Sequence, residues 1–251
     1  MTINQTALDR AASLLACAKS AVFFTGAGVS KESGIPTFRE AQTGLWANYN
    51  PEELATPTAF QRNPELVWQW YDSRRKRLDE VKPNPGHFAI AELEKLIPKV
   101  VVLTQNVDGL HIVAGSHDVV ELHGSIREFF CFNHRHPAEQ IPLGLEKPPQ
   151  CHCGSLLRPG VVWFHEALPE GPFERARKEI ADSSVMFVIG TSALVYPAAG
   201  LPYIALDRKI PVIEINPDET PFSRDAEFVL RGPSGEILPQ LVQAVRKLSA
   251  S

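Results

Sequence analysis

The chain has 251 residues, of which 44% are apolar, and this suits one large domain or a large and a small one. The net charge of −4 and the isoelectric point of about 6.1 give no electrostatic reason to expect a nucleic-acid partner. No apolar run reaches the roughly 18 residues that a membrane helix needs, so no membrane partner is expected. The polar first ten residues lack a secretory-signal core, and we expect a cytoplasmic protein.

Short apolar runs and helix-like stretches alternate along the chain. Most of the apolar runs lack a polar alternation, which indicates strands covered on both faces. They are Ala21–Phe24, Val100–Leu103, Val119–Leu122, Val185–Ile189, Val212–Ile215 and Glu227–Leu230. The helix-like stretches are Thr6–Ser20, Pro85–Leu96, Phe173–Asp182 and Ser234–Leu248. This order predicts an α/β fold with a Rossmann-like, doubly wound parallel sheet.

Two segments interrupt this order and are predicted to form a smaller module by insertion. The first holds three of the four tryptophans, and the second holds many prolines and three of the four cysteines. In a cytosolic protein such a cysteine cluster indicates a metal before a disulfide. The predicted domains are a Rossmann-like domain from 1–39, 80–125 and 161–251 and a small helical module from 40–79 and 126–160.

A glycine-containing loop, Gly26 to Ser30, directly follows the first predicted strand. Glycines at Gly26 and Gly28 would let the backbone approach a pyrophosphate at a helix N-terminus. Lys31 stands where the dinucleotide pattern has its third glycine, and no acidic residue ends a second strand about 20 positions on. The loop alone therefore leaves open an ordinary turn, an NAD-dependent dehydrogenase and other NAD-binding proteins.

The sequence around and beyond this loop resembles the sirtuin family of NAD-dependent protein deacylases. The loop continues as Ser-Gly-Ile-Pro-Thr-Phe-Arg from Ser33 to Arg39, which is similar to the first sirtuin signature. Further matches are Thr104–His111, Glu121–Ser125, Leu157–Pro159, Val161–Phe164, Gly190–Ser192 and Ile215–Asn216. The resemblance runs from about residue 20 to residue 230, and it implies that NAD is cleaved as a co-substrate.

In sirtuins the bond to nicotinamide breaks through an oxocarbenium-like state, and the acyl oxygen of the modified lysine is the nucleophile. The resemblance makes His123 the base for a ribose hydroxyl, and an imidazole titrates near operating pH. A structural histidine at a strand end is the alternative. Asn106 and Asp108 follow the second predicted strand and are assigned to the nicotinamide carboxamide and the ribose, with Asn106 as a second catalytic residue. An Asx turn closed by Gly109 is compatible with these roles.

The resemblance also assigns residues to NAD binding. Gln105 would lie beside the ribose, while Phe38 and Arg39 would cover the nicotinamide ribose and contact phosphate. Residues after two further strands would face the phosphates and the adenosine ribose. The predicted cofactor set is Gly26, Ala27, Gly28, Phe38, Arg39, Trp46, Gln105, Asn106, Asp108, Gly190, Thr191, Ser192 and Asn216.

Acylated-lysine proteins or peptides are the implied partners. A peptide is expected to add as a strand between the two modules, using Val161, Trp163, Phe164 and a loop near Gly190. Sirtuins commonly have a glycine after Trp-Phe, whereas this chain has His165. A side chain at this position is expected to narrow the peptide cleft.

Tyr71 and Arg74 are three residues apart in a helix-like stretch and therefore share a face. A tyrosine hydroxyl with a guanidinium fork suits a carboxylate. The pair resembles class III sirtuins, which remove acidic acyl groups such as succinyl and malonyl. Seen alone, the basic run that begins at Arg74 is typical of a solvated face, and Tyr71 of a core residue. In this context we predict a bacterial-type desuccinylase and demalonylase that also removes acetyl groups.

Sirtuins usually place four cysteines around a structural zinc, and here a histidine stands at the second position. The implied ligands are Cys131, His134, Cys151 and Cys153, and three cysteines with one histidine form a normal closed zinc set. His136 and His152 are rival fourth ligands, and loss of the metal is the alternative. The small module is therefore predicted to bind one zinc per chain.

Three other functions remain open besides deacylation. They are hydride transfer by a dehydrogenase, mono-ADP-ribosyl transfer, and a catalytically silent scaffold that senses NAD or contains a zinc ribbon. The combination of Asn106, Asp108 and His123 favours an enzyme over the scaffold.

Overall fold

The computed structural model describes residues 4–36, 50–139 and 141–249. Three residues predicted to bind the cofactor, Phe38, Arg39 and Trp46, lie outside these ranges. Within the ranges, every helix is too short or too polar to cross a membrane.

The described residues form ten helices, nine strands and two short 3-10 turns. The helices are α1 (Gln5–Ala16), α2 (Gly28–Lys31), α3 (Pro51–Leu54), α4 (Pro57–Arg62), α5 (Pro64–Glu80), α6 (Pro85–Leu93), α7 (Leu110–Val113), α8 (Glu170–Ala181), α9 (Leu201–Asp207) and α10 (Ser234–Ser249). The strands are β1 (Ala21–Thr25), β2 (Val100–Thr104), β3 (Val119–Glu121), β4 (Gly124–Cys131), β5 (Pro137–Ala138), β6 (Leu157–Val161), β7 (Val185–Ile189), β8 (Val212–Asn216) and β9 (Phe228–Arg231).

The main sheet has the strand order β3-β2-β1-β7-β8-β9, and all neighbouring strands are parallel. The chain leaves β1 toward β2 on one side and later returns to pair β7 on the other side. The strand order therefore reverses at β1, and open α/β sheets bind ligands outside the carboxyl ends of their strands at such a point. The predicted Rossmann-like, doubly wound sheet is confirmed.

Helices cover both faces of this sheet, which explains why its strands are apolar without alternation. Phe23 faces a core formed with α1, α6 and α10, where its ring stacks on Phe187 at 5.1 Å. The next residue, Phe24, faces the opposite core with α8 and α9. Both phenylalanines are fully buried, so β1 is anchored on both sides and its carboxyl end is held in place.

A smaller antiparallel sheet of β5, β4 and β6 was not predicted from the sequence. Its register shifts between Ser125 and Phe129, and this irregularity hides the period-two pattern of a strand. A third core that includes Phe60, Trp70 and Trp163 packs α4 and α5 against this sheet. The division of the chain into two domains at the predicted boundaries stays a prediction.

Candidate active site

Three glycines bring the loop after β1 against the loop after β7. The backbone N–H of Gly28 donates to the carbonyl oxygen of Gly190 at 2.7 Å. A Cβ on Gly28 would lie 2.7 Å from that oxygen, and a Cβ on Gly26 would lie 2.7 Å from the Cβ of Thr191. Only glycine permits this close approach, and we call the backbone of the two loops at this point, where the strand order reverses, the glycine cradle. Glycine-containing loops at the carboxyl ends of parallel strands are typical pyrophosphate-binding sites.

Ser30 connects the glycine loop to the two polar residues that follow β2. Its hydroxyl donates to Oδ2 of Asp108 at 2.7 Å and accepts from Nδ2 of Asn106 at 3.1 Å. The same Asn106 nitrogen donates to the carbonyl oxygen of Gly26 at 3.1 Å. Both amide hydrogens of Asn106 are thus used within the protein, and Oδ1 faces a ligand only as an acceptor. The sequence analysis assigned Ser30 no function beyond its place at the end of the glycine loop.

The carboxyl of Asp108 is buried, and burial raises its pKa above the ordinary value. Hydrogen bonds from the Leu110 amide and the Ser30 hydroxyl, together with the charge of Arg74, oppose this rise. The carboxyl is therefore held by fixed donors at the edge of the glycine cradle.

Two buried histidines that sequence reasoning missed lie behind Ser30. The amide of Asn84 donates to Nδ1 of His87, which leaves the proton on Nε2, 3.4 Å from the Ser30 hydroxyl. His111 contacts the Thr25 hydroxyl at 3.0 Å, and the two imidazoles are 4.8 Å apart. Burial lowers the pKa of His87 to about 4. Burial, together with electrostatic repulsion from His87, lowers the pKa of His111 to about 3. Both rings are neutral at pH 7. The one sequence feature that could have identified these two residues is that each lies in an apolar helical stretch.

His123 follows β3 and is oriented by the loop after β2. Its Nδ1–H donates to the carbonyl oxygen of Gln105 at 2.9 Å, because a carbonyl can only accept. The neutral ring therefore carries its lone pair on Nε2. Burial lowers the pKa of His123, and the bond to Gln105 opposes this shift. The arrangement presents an imidazole base that is unprotonated near neutral pH.

The loop after β7 is tied to its neighbours by side-chain amides. Nε2 of Gln105 donates to Oγ1 of Thr191 at 3.0 Å, and Nδ2 of Asn216 donates to the Thr191 carbonyl oxygen at 2.9 Å. Ser192 is exposed beside them. Most of the predicted cofactor and catalytic residues thus meet at one edge of the sheet: Gly26, Ala27, Gly28, Gln105, Asn106, Asp108, His123, Gly190, Thr191, Ser192 and Asn216.

Tyr71 and Arg74 share one face of α5. The Tyr71 hydroxyl accepts a hydrogen bond from Nε1 of Trp163 at 2.9 Å. The Arg74 guanidinium lies 5.0 Å from the centre of the Trp70 ring. Burial lowers the pKa of Arg74, while the charges of Tyr71 and Asp108 oppose this shift. The basic run is therefore not a uniformly solvated face, because Arg74 interacts with an active-site carboxylate.

The segment predicted to bind peptide is partly buried in the core. Val161 and Trp163 are 3% and 1% exposed and pack in the third core. Phe164 is half-buried. The amides of residues 162, 163 and 164 all donate within the chain, respectively to the His123 carbonyl, the Glu166 carboxylate and the Ala55 carbonyl.

His165 is exposed and has a backbone φ of +70°, in the left-handed region that favours glycine. Glycine adopts this conformation without steric strain, which explains why it suits the position. In this chain a histidine adopts it instead. Whether that side chain narrows a peptide cleft stays a prediction.

The metal-ligand set differs from the prediction in one residue. In the described part of the chain, ligand atoms of Cys131, His136, Cys151 and Cys153 lie within 4.8 Å of one another. His136, one of the rival fourth ligands, belongs to this set, and the predicted His134 does not. The Cys131 amide donates to the His136 carbonyl at 2.8 Å, and this turn brings residue 136 back beside the cysteine. Three thiolates and one imidazole are arranged to hold a zinc ion, and they match its preferred donors.

Comparison with known proteins agrees with this geometry. The sequence model of the Sir2 family matches residues 26–197, more than half of the chain. An NAD-dependent protein deacylase 1 of Archaeoglobus fulgidus is 50% identical over 236 residues, covering 93% of this chain and 96% of the relative. A protein of the same name from Caldanaerobacter subterraneus subsp. tengcongensis is 53% identical over 210 residues, covering 82% and 86%.

Two solved structures show the same fold. A Sir2 homologue in complex with NAD has a TM-score of 0.91 at 48% identity, with 96% of this chain and 94% of that chain covered. A Sir2 protein bound to a myristoylated histone peptide has a TM-score of 0.77 at 33% identity, with 98% and 99% covered. The chain belongs to the Sir2 family, as its resemblance to the sirtuins predicted.

Proposed function

We propose that this Sir2-family chain is an NAD-dependent protein-lysine deacylase that releases nicotinamide and an O-acyl-ADP-ribose. One observation carries the proposal: His123 lies at the same sheet edge as the Gly26–Gly28 cradle. Its Nε2 is the basic nitrogen, because Nδ1 carries the hydrogen. The names of the relatives support the same activity.

When bound, NAD supplies the ADP-ribosyl group that takes the acyl group as its bond to nicotinamide is cleaved. The cradle between Gly28 and Gly190 would hold the phosphates, with Thr191 and Asn216 beside it. Asn106 can offer only its Oδ1 acceptor, and the Asp108 carboxyl would orient the nicotinamide end. His123 would accept the proton of a ribose hydroxyl on Nε2, since its Nδ1–H is held by Gln105.

The preferred acyl group is proposed to be acidic, either succinyl or malonyl, with acetyl as a weaker substrate. Tyr71 and Arg74 provide a hydroxyl and a guanidinium on the same face of α5. Both are held in a partly desolvated setting, where a charged hydrogen bond to a carboxylate is strong. The electrostatic interaction of Arg74 with Asp108 supports a position close to the reacting groups.

The proposed partners are acylated-lysine proteins and peptides. A neighbouring structure holds a myristoylated histone peptide, which supports a peptide cleft in the family. We propose that the peptide reaches the segment around Val161–Phe164 through main-chain carbonyls, because the amides of residues 162–164 already donate within the chain. A cytoplasmic location is part of the proposal, since unpaired thiols at a zinc set suit a reducing compartment.

Incubation of the full chain with NAD and an acyl-lysine peptide tests the proposal. Release of nicotinamide that depends on the peptide supports it. A rise in NADH absorbance indicates a dehydrogenase, and ADP-ribose bound to protein indicates a transferase. Either result without deacylation contradicts the proposal, and the His123→Ala variant is the control for contaminating activity.

A further inference from the structure

The hydrogen bond between Trp163 and Tyr71 determines how the Tyr71 hydroxyl can meet a ligand. Nε1 of Trp163 donates to this hydroxyl at 2.9 Å, and an indole N–H can only donate. Among the described residues, Trp163 is the hydrogen-bond partner found for this hydroxyl. The hydroxyl hydrogen therefore still needs an acceptor, and the neighbouring Arg74 guanidinium cannot provide one.

Trp163 itself is held on two sides. The Arg158 guanidinium lies 3.3 Å from the centre of the indole ring, and Phe60 packs against the ring with centroids 5.3 Å apart. Arg158 is 1% exposed and forms two bonds to the Glu166 carboxylate, at 2.6 and 2.9 Å. The same carboxylate accepts the Trp163 backbone N–H at 2.8 Å. Backbone and ring are thus anchored by one buried ion pair.

We propose that Trp163 is a positioning residue that makes the Tyr71 hydroxyl a hydrogen-bond donor to the carboxylate of an acidic acyl group. The inference rests on the proposed function, because it concerns the same acyl site. Trp163 occupies one lone pair of the hydroxyl, so the hydroxyl hydrogen is left to point at the ligand. Tyr71 and Arg74 then each present a donor to the ligand, which favours a carboxylate over an uncharged acetyl group.

Burial raises the pKa of Tyr71, so the hydroxyl keeps its hydrogen throughout the neutral range. The ring is also fixed by an edge-on contact with Trp70, at a centroid distance of 4.6 Å. Loss of the Trp163 N–H would leave the hydroxyl orientation unspecified without removing Tyr71 or Arg74. The acidic acyl group would then bind more weakly in both the ground state and the transition state, and this raises KM more than it lowers kcat.

The test is steady-state kinetics of the full chain with succinyl-lysine and acetyl-lysine peptides of one sequence. For Trp163→Phe we expect KM for the succinyl peptide to rise about tenfold, the loss typical of a hydrogen bond to a charged group. We expect kcat to change by less than about twofold and deacetylation to lose much less than desuccinylation. Replacing Trp163 with 3-benzothienylalanine, which has the same shape and no N–H, gives the same test if Trp163→Phe does not fold.

Trp68→Phe is the matched control. Trp68 is also 1% exposed, lies on α5 and donates its indole N–H, but to the Leu145 carbonyl at 3.1 Å. Its loss should affect both peptides equally.

A double-mutant comparison separates this inference from the proposed function. In a Tyr71→Phe background, Trp163→Phe should leave the ratio of succinyl to acetyl activity within about twofold, because no hydroxyl remains to be positioned. If Tyr71→Phe lowers the ratio and Trp163→Phe does not, the inference is overturned while the acyl site stands. If Tyr71→Phe also leaves the ratio unchanged, the acidic-acyl proposal and the inference both fail.

Discussion

His123 and Gln105 are joined by a 2.9 Å hydrogen bond from the imidazole Nδ1–H to a backbone carbonyl, and this bond selects Nε2 as the basic nitrogen. The side chain of the same Gln105 donates to Thr191 across the glycine cradle. Gln105 therefore links the proposed base to the proposed cofactor loop through one backbone and one side-chain hydrogen bond.

The first prediction concerns the pH dependence of the base. Burial lowers the pKa of His123 below its ordinary value of 6.5, so the neutral, active ring persists into mildly acidic solution. The acid limb of kcat/KM should have its midpoint below 6.5, with activity lost as the pH falls through the lowered pKa. A midpoint above 6.5 would contradict the assigned environment.

His123→Ala should lose at least about 100-fold in kcat/KM, the usual contribution of a general base. Circular dichroism at each pH controls for unfolding, because the buried neutral rings of His87 and His111 must take up protons when the chain unfolds in acid. Near wild-type turnover by His123→Ala would remove this residue from the mechanism.

The second prediction tests the glycine cradle. Gly28→Ala would place a Cβ 2.7 Å from the Gly190 carbonyl oxygen and 2.8 Å from its Cα, both backbone atoms that cannot move aside alone. The loops should separate, and KM for NAD should rise by more than about tenfold, which corresponds to about 1.4 kcal/mol of lost binding free energy. Gly171→Ala on α8, with nothing within 4 Å of its added Cβ, is the matched control. Equal KM values for the two variants would argue against a cofactor cradle here.

The third prediction concerns the choice of acyl group. Arg74→Met keeps an unbranched side-chain stem but removes the guanidinium, and it should lower desuccinylation far more than deacetylation. Lys76→Met, two residues along α5, is the control and should change neither activity appreciably, because it removes an exposed ammonium from the buried Asp72 carboxylate, which keeps its bonds to Arg75 and the Gly144 amide. Initial rates on succinyl and acetyl peptides measure both effects. Equal losses on the two substrates in Arg74→Met would eliminate the carboxylate role.

The fourth prediction concerns the zinc ligands. One zinc per chain is expected by elemental analysis, and His136→Ala or Cys151→Ser should lose it because each removes a member of the four-atom set. His134→Ala should keep it, since the backbone N–H of His134 donates to Sγ of Cys131 at 3.4 Å and the substitution retains this group. Retention of zinc by His136→Ala together with loss by His134→Ala would restore the original assignment. The metal should organise the small module and have no part in proton transfer.

Much of the site was predictable because polar residues directly after buried parallel strands must meet at one edge of the sheet. Gly26, Asn106, His123 and Gly190 all follow such strands, and the boundaries of these strands differ from the prediction by at most one residue. The apolar runs identified the strands, and the strand order then brought the motifs together.

The parts that could not be predicted depend on contacts between distant segments. Sequence spacing could not choose between His134 and His136, because the turn after β4 decides which side chain returns to Cys131. Trp163 fits a substrate-binding motif, yet the Arg158–Glu166 ion pair turns its ring into the core. His87 and Ser30 are far apart in sequence, and only the packing of α6 on the sheet makes them neighbours.

The central claim is that the chain transfers an acyl group from lysine to the ADP-ribosyl part of NAD. Mass spectrometry of the products from NAD and a succinyl-lysine peptide tests it most directly. We predict equal amounts of unmodified peptide, nicotinamide and O-succinyl-ADP-ribose. An unchanged peptide accompanied by NADH, by free ADP-ribose alone or by ADP-ribosylated protein would contradict the account.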